Sequence, residues 1–325
     1  MKLIEQVWKG LEQDLAGVES CMQANLKSNA PLIAEVGLHL LRGGGKRIRP
    51  LLLLLSAKAC GYEGDRHYLL ASIVEYIHTA SLLHDDVVDE AVMRRGQKSA
   101  NRLWGNQASI LVGDYLYSKA LYLAVRERNQ EIMDVLSEAT TIMSEGEVMQ
   151  LSHIGNLDIS EDDYLQVITN KTAMLIAASC KLGAIIAGAD PSVKDAMASF
   201  GMNIGIAFQL IDDALDYSAQ EWKLGKEVGK DLQEGKVTLP LIHVLRNASG
   251  EEAARIRGIF EKAEIDSDDL EYLFQSIDRH KAIDYTMDRT QVYVQNAKSA
   301  LDCFPSSSAK DALLAVSDFI YNREL

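Results

Sequence analysis

Apolar residues recur at helical spacing along almost the whole chain. The period predicts helices over 2–28 and 30–41, near 51–60, and over roughly 66–91, 106–127, 130–152, 161–187 and 192–218. Shorter helices are expected to fill 238–325, broken near Ser249-Gly250, Asp266–Asp268 and Pro305–Ser308. Gly43-Gly44-Gly45 closes the second run, Pro50 is expected to open the next helix, and Gly61–Asp65 forms a loop. Ser160 with Asp163 three positions later has the pattern of a capping box. No stretch alternates convincingly as a strand, and no low-complexity linker or short repeat divides the chain. The expectation is an all-α protein, one helical bundle in a single domain over 1–325.

Composition sharpens this picture. Hydrophobic residues make up 47% of the 325, enough for a large core. Leu51–Leu55 is too short to span a bilayer, and the apolar run Ala173–Ala189 carries Lys181, so a buried helix is expected there. Met1–Gly10 lacks the continuous apolar core of a signal peptide. Cys21, Cys60, Cys180 and Cys303 are scattered without a CxxC pair, which fits a reducing, cytoplasmic setting and neither a disulfide framework nor a zinc site. A net charge of −14 argues against nucleic acid as a partner. Basic residues nevertheless gather beside glycines, where the local field opposes the global one.

Two helices carry acidic groups where a solvated face is out of place. The stretch Ala80–Arg95 contains Asp85, Asp86 and Asp89 at the end of a long apolar run, followed by Arg94 and Arg95. Phe208–Tyr217 repeats the spacing with Asp212, Asp213 and Asp216. Residues four apart lie on one helix face, about 6 Å apart along the axis, so their carboxylates repel unless a cation sits between them. Mg²⁺ takes one or two protein carboxylates and completes its shell with water and phosphate oxygens. One such cluster would mean little. Two on apolar helices point to a metal–phosphate site.

Other residues carry weaker signals. Gly43–Gly45 followed by Lys46, Arg47 and Arg49 reads as a phosphate-binding turn or as an ordinary helix end with solvated charges. His78, seven residues before Asp85, shares its face, yet a single helix histidine is often simply packed. Lys171 interrupts an apolar run, which is costly unless its charge is satisfied. Lys226 and Lys236 stand in a glycine-containing charged loop over 219–237, where lysines are common. Gly201 and Gly205, four apart, are expected to allow close helix packing.

In order and spacing, Gly-Gly-Gly-Lys46-Arg-Ile-Arg49-Pro, Leu-Leu-His-Asp-Asp-Val-Val-Asp-Glu, Met-Arg-Arg-Gly, Gly-Glu-Val-Met-Gln, Lys171-Thr172 and Phe-Gln-Leu-Ile-Asp-Asp-Ala-Leu-Asp resemble the trans-prenyltransferases, the isoprenyl diphosphate synthases. The resemblance covers about 40–245 and is nearest to long-chain, octaprenyl-type members. It implies a bundle around a deep central cavity, usually dimeric, that joins an allylic diphosphate of farnesyl or geranyl type head to tail with isopentenyl diphosphate. It also implies three Mg²⁺, a quinone side chain as one destination of the product, and transient membrane contact as that product leaves.

Carried over by motif, the resemblance makes Asp85, Asp89 and Asp212 the main metal ligands, with Asp86, Asp213 and Asp216 ligating directly or through water. It assigns the allylic diphosphate to Arg94, Lys171, Gln209 and Lys226, and the isopentenyl diphosphate to Lys46, Arg49, His78 and Arg95. Many members have glutamine where His78 stands. Lys236 matches a further lysine near the site, and Thr172 a hydroxyl facing the forming cation. Short-chain members carry a bulky aromatic at one or both of the positions held here by Ala80 and Ser81, so a long product is expected, roughly forty carbons within about thirty to fifty. The alternatives are a shorter-chain synthase, a class I terpene cyclase, or a non-catalytic subunit of a heteromeric synthase. A cyclase would not need cations for a second diphosphate. A non-catalytic subunit would have lost aspartates that this chain keeps.

Overall fold

The computed structural model describes residues 2–43, 45–217, 229–262 and 265–322. It has seventeen described α-helices, one π-helical turn and one two-stranded hairpin. In chain order the first eleven helices are α1 Lys2–Gly10, α2 Glu12–Asn25, α3 Pro31–Arg42, α4 Ile48–Ala59, α5 Arg66–Val88, α6 Ala100–Trp104, α7 Asn106–Arg126, α8 Gln130–Ser152, α9 Glu161–Ile168, α10 Met174–Ile186 and α11 Pro191–Leu215. The remaining six are α12 Lys230–Gln233, α13 Leu239–Asn247, α14 Gly250–Phe260, α15 Ser267–Arg279, α16 Ala282–Ala300 and α17 Ser308–Tyr321. The all-α expectation holds.

Three local differences have physical reasons. The expected first helix is two, interrupted at Leu11, whose backbone leaves helical geometry at ψ 9°. α4 begins at Ile48, two residues before Pro50, because a proline in a first turn loses no hydrogen bond. The stretch after α5 folds as an antiparallel hairpin, β1 Met93–Arg94 and β2 Gln97–Lys98, too short to alternate visibly. Of the capping-box pattern at α9 the N-cap half forms: Ser160 Oγ accepts from Asp163 N at 3.0 Å, while the Asp163 carboxylate accepts from the Ser160 hydroxyl at 2.7 Å rather than from its backbone N–H.

The chain divides into two compact units. The first comprises Met1–Thr140, Leu175–Gly201 and Leu301–Ala315. Its core includes Leu51–Leu54 of α4, all 0% exposed, and the apolar side of α5, which packs on α4, α2 and α7. α2 and α5 run parallel in a fixed register. Tyr68 donates to Asp14 at 3.0 Å, Ser72 Oγ lies 3.3 Å from the Val18 carbonyl, and the buried Tyr76 donates to the Met22 carbonyl. Each rung joins residues 54 apart, so this ladder fixes the helix that ends in Asp85–Asp89. α10 is buried as expected, and Gly201 lets α11 approach it: an added Cβ would stand 2.8 Å from Ala177 Cα.

The second unit comprises Thr141–Met174, Met202–Ala300 and Val316–Leu325. Its core joins Ile206, Leu210, Leu239, Leu241, Leu273 and Ile277, with α13 packed on α16. Within it, Thr169–Ala173 forms a π-helical turn between α9 and α10. Such bulges inside helices recur at functional sites. Gly205 permits this one, because an added Cβ would stand 2.5 Å from Ala173 Cα.

Candidate active site

In the first unit, α5 ends at Val88 with Asp89 as its C-cap, whose backbone N–H donates to the Asp85 carbonyl at 2.8 Å. Asp85 and Asp89 are partly exposed, while Asp86 is fully buried. Burial commits Asp86 to a partner: Arg94 places Nε at 2.8 Å and Nη2 at 2.5 Å from its Oδ1. Asp86 Oδ2 is buried without a hydrogen-bond partner among the described residues, while Asn101 donates to the Asp86 backbone carbonyl at 2.8 Å. The first cluster therefore divides its labour. Its outer carboxylates reach solvent, and its middle one orients the arginine assigned to the allylic diphosphate.

A cluster of cations stands on the same unit. His78 is held well below its usual pKa, first by burial and then by Arg49, Arg95, Arg94 and Arg47, so all four guanidinium groups bear on one neutral imidazole. Arg95 adopts φ 52° and lies against Gly45, where a Cβ would meet its Nη1 at 2.7 Å. Gly45, at φ +138°, is thus required by both its backbone and its neighbour. Trp8 Nε1 donates to the Lys46 carbonyl at 3.3 Å. Gly44 lies outside the described residues.

His78 gives a pH dependence with a definite sign. The unfolded chain binds a proton near pH 6.5 that the folded protein resists, so stability falls as pH drops through 6.5. The slope is at most ~1.4 kcal/mol per pH unit. Thermal melts of the wild type and His78→Gln at pH 7 and 5 are expected to show a smaller acid loss in the variant. Equal losses would contradict the assignment.

In the second unit, Asp212 is partly exposed and Asp213 is 5% exposed. Asp213 accepts from Tyr164 OH at 2.5 Å and from Gln209 Nε2 at 2.7 Å. Gln209 Oε1 in turn accepts from Thr172 Oγ1 at 2.9 Å. The Asp213 carboxyl is pushed up to about 6, chiefly by burial and in part by Asp212 and Asp216, against the lowering effect of its two hydrogen bonds. Asp216 accepts from the backbone N–H groups of Asp231 at 2.9 Å and Lys230 at 3.3 Å, which anchors α12. Lys171, on the π-helical turn, donates to Glu147 at 2.6 Å and Gln150 at 2.8 Å. Lys236 donates to Glu234 at 2.6 Å. Lys171, Thr172, Gln209, Asp213 and Lys236 line one cavity of about 130 Å³ with Tyr164 and Asp231. Lys226 lies outside the described residues.

Asp231 was not legible as a site residue. It is pushed well above the usual carboxylate range by burial and by Asp213 and Asp216. Its Gly-Lys-Asp-Leu context resembles any charged loop, although the apolar Leu232 beside it marks a turn that packs inward.

The donors fit Mg²⁺. Among the described residues no three His, Cys, Asp or Glu side chains form a ready-made cage. Sparse carboxylates near fixed cations are what Mg²⁺ uses when phosphate and water complete its shell. The partly exposed Asp85, Asp89 and Asp212 supply hard oxygens of the required kind.

Carboxylate clusters at helix ends, set beside arginines and lysines, are the equipment of an enzyme that handles diphosphates. The polyprenyl synthetase family profile matches residues 30–277, and the chain belongs to that family; it is a prenyltransferase. It is 41% identical over 314 residues to the octaprenyl diphosphate synthase of Haemophilus influenzae, spanning 97% of this chain and 95% of that one. The octaprenyl diphosphate synthase of Escherichia coli is 40% identical over 321 residues, 99% of each chain. Among solved structures, a decaprenyl diphosphate synthase from Rhodobacter capsulatus superposes with a TM-score of 0.94 at 38% identity, covering 98% of both chains. A polyprenyl synthase from Caulobacter crescentus, complexed with calcium and isoprenyl diphosphate, gives 0.92 at 38% identity over 99% of this chain and 98% of that one.

Proposed function

We propose that this chain is a Mg²⁺-dependent, all-trans long-chain prenyl diphosphate synthase acting as a single catalytic domain. One observation carries the reading: both aspartate clusters leave outer carboxylates partly exposed and use a buried middle carboxylate to orient diphosphate-binding side chains. Asp86 holds Arg94, and Asp213 holds Gln209, which holds Thr172.

The chemistry follows from charge. Breaking the allylic carbon–oxygen bond separates a carbocation from a diphosphate anion, so the site must stabilise the leaving group. Bound Mg²⁺, three ions by family expectation, supplies Lewis-acid stabilisation of that anion. Asp85, Asp89 and Asp212 would hold it. By the family motifs Arg94, Lys171, Gln209 and Lys226 would each bind the allylic diphosphate, and Lys236 matches a further lysine of that kind. The Thr172 hydroxyl donates to Gln209 Oε1, which leaves its oxygen lone pairs for a forming cation. Lys46, Arg49, His78 and Arg95 hold isopentenyl diphosphate, whose double bond attacks the cation. The departing diphosphate takes the final proton, so no protein nucleophile is needed.

Long-chain specificity is supported by Ala80, 2% exposed, and by Ser81, whose hydroxyl folds back onto the His78 carbonyl at 2.9 Å. Both present little bulk. A homodimer is supported by the exposed stripe Leu111 (67%), Tyr122 (55%) and Val125 (58%) along α7. No described helix is long and apolar enough to cross a membrane. The proposal places the enzyme in the cytoplasm, with transient membrane contact when product leaves.

Lys46→Ala tests the assignment of the two diphosphates. It is expected to raise KM for isopentenyl diphosphate about 10-fold or more, because a charge-assisted contact is worth roughly 1.5–3 kcal/mol. The KM for farnesyl diphosphate should change far less. Equal effects on both substrates would count against it.

A further inference from the structure

We propose that Glu75 and Arg47 are a positioning pair: the buried Glu75 carboxylate anchors Arg47, and through it sets the Gly45–Arg47 loop, Arg49 in the first turn of α4 and the Arg95 guanidinium to receive isopentenyl diphosphate. The inference rests on the reading that Lys46, Arg49, His78 and Arg95 bind that substrate.

Glu75 stands on the packed interior of α5, 3% exposed, among Ile73, Val74, Tyr76 and Ile77, none more than 2% exposed. A carboxylate there is costly unless paired. Its partner comes from 28 residues away. Arg47 Nη1 donates to Glu75 Oε1, and Arg47 Nη2 donates to the Leu41 carbonyl in the last turn of α3. One guanidinium therefore ties α5 to the end of α3, with the glycine-containing loop between its two anchors. The Leu41 carbonyl is among the helix-end acceptors that lack an intrahelical donor, so Arg47 also completes α3.

The backbone shows the same constraint. Arg47 is the N-cap of α4 at φ 47°, ψ 41°, a left-handed conformation that costs a residue with a Cβ about 1–3 kcal/mol. No glycine or asparagine eases it. Its side-chain bonds to Glu75 and Leu41 hold it, and Lys46 and Arg49 flank it at one and two residues' distance. With two arms committed inside the protein, Arg47 acts by shaping the loop.

Charge completes the case. Arg47, Arg49, Arg94 and Arg95 all bear on His78, and burial, then Arg47 and Arg94, disfavour the charge on Arg95. Glu75 favours that charge. Asp86 offsets Arg94 in the same way. Two buried carboxylates thus offset guanidinium charge that gathers around His78 before any diphosphate arrives.

The test uses the full-length enzyme with Glu75→Gln, Arg47→Gln, the double variant and Lys46→Ala. It measures the KM for isopentenyl diphosphate, the KM for farnesyl diphosphate, and the melting temperature. Each single variant is expected to melt lower, because it leaves one charge buried and unpaired, whereas the double variant, with neither charge, recovers much of that loss. The KM for isopentenyl diphosphate is expected to rise about 10-fold or more in the singles and to stay raised in the double, since misplacing a binding group acts independently of stability. The KM for farnesyl diphosphate should move much less. If a single variant fails to fold, the double carries the test. A double variant with wild-type KM for isopentenyl diphosphate, or with equal rises for both substrates, overturns the proposal. Lys46→Ala separates the levels: should it leave that KM unchanged, the binding assignment itself falls; should it raise it while the double does not, only the positioning role falls.

Discussion

Replacing Asp85 or Asp212 with alanine is expected to lower turnover by about 100- to 1000-fold, the loss typical of removing one preorganised contact to charge that develops in the transition state. Both carboxylates are partly exposed, so their removal leaves no void in the core and the helical fold should persist. Asp86→Ala would behave differently. That side chain is fully buried and holds Arg94, so its loss strips an arginine of its partner as well as altering the cluster. Steady-state turnover with Mg²⁺, alongside circular-dichroism melts, distinguishes these cases. Near-normal Mg²⁺-dependent turnover in Asp85→Ala would refute the ligand role.

Ala80→Phe and Ser81→Phe are expected to shorten the product to about fifteen to twenty carbons while the first condensations continue. On the proposed reading the growing tail would leave the metal site along α5 towards its N-terminal end, past these residues one turn behind the aspartates. Each methylene that enters the apolar wall gains roughly 0.8 kcal/mol, so elongation continues until something blocks it. A phenyl ring at either position supplies the block. Ala80 is buried and Ser81 has its hydroxyl satisfied within its own helix, so neither presents an unpaired polar group to a hydrocarbon. Full-length products from both variants, read by mass spectrometry, would mean that the tail runs elsewhere.

Much of the fold was legible because long amphipathic periods dominate it. α5, α7, α8 and α11 lie close to their expected spans, and Gly201 and Gly205 pack closely as their spacing implied. What escaped the sequence depends on distant partners. The interruption at Leu11 and the hairpin after α5 involve too few residues to leave a periodic trace. The π-helical turn at Thr169–Ala173 has no local signature, since Gly205, more than thirty residues on in the chain, makes room for it. The aspartate spacing revealed the clusters but not their division of labour. Burial of Asp86 and Asp213 against Arg94, Tyr164 and Gln209 sets that division. Glu75 read as one polar residue in an apolar helix, because its partner sits in a loop 28 positions away.

The account stands most directly on what the purified chain makes by itself. Incubated with Mg²⁺, farnesyl diphosphate and labelled isopentenyl diphosphate, it is expected to release diphosphate only when both substrates are present. The product should be an all-trans diphosphate of roughly forty carbons, read by mass spectrometry, as the small side chains of Ala80 and Ser81 would permit. Diphosphate release from farnesyl diphosphate alone, or no turnover without a second protein, would contradict it.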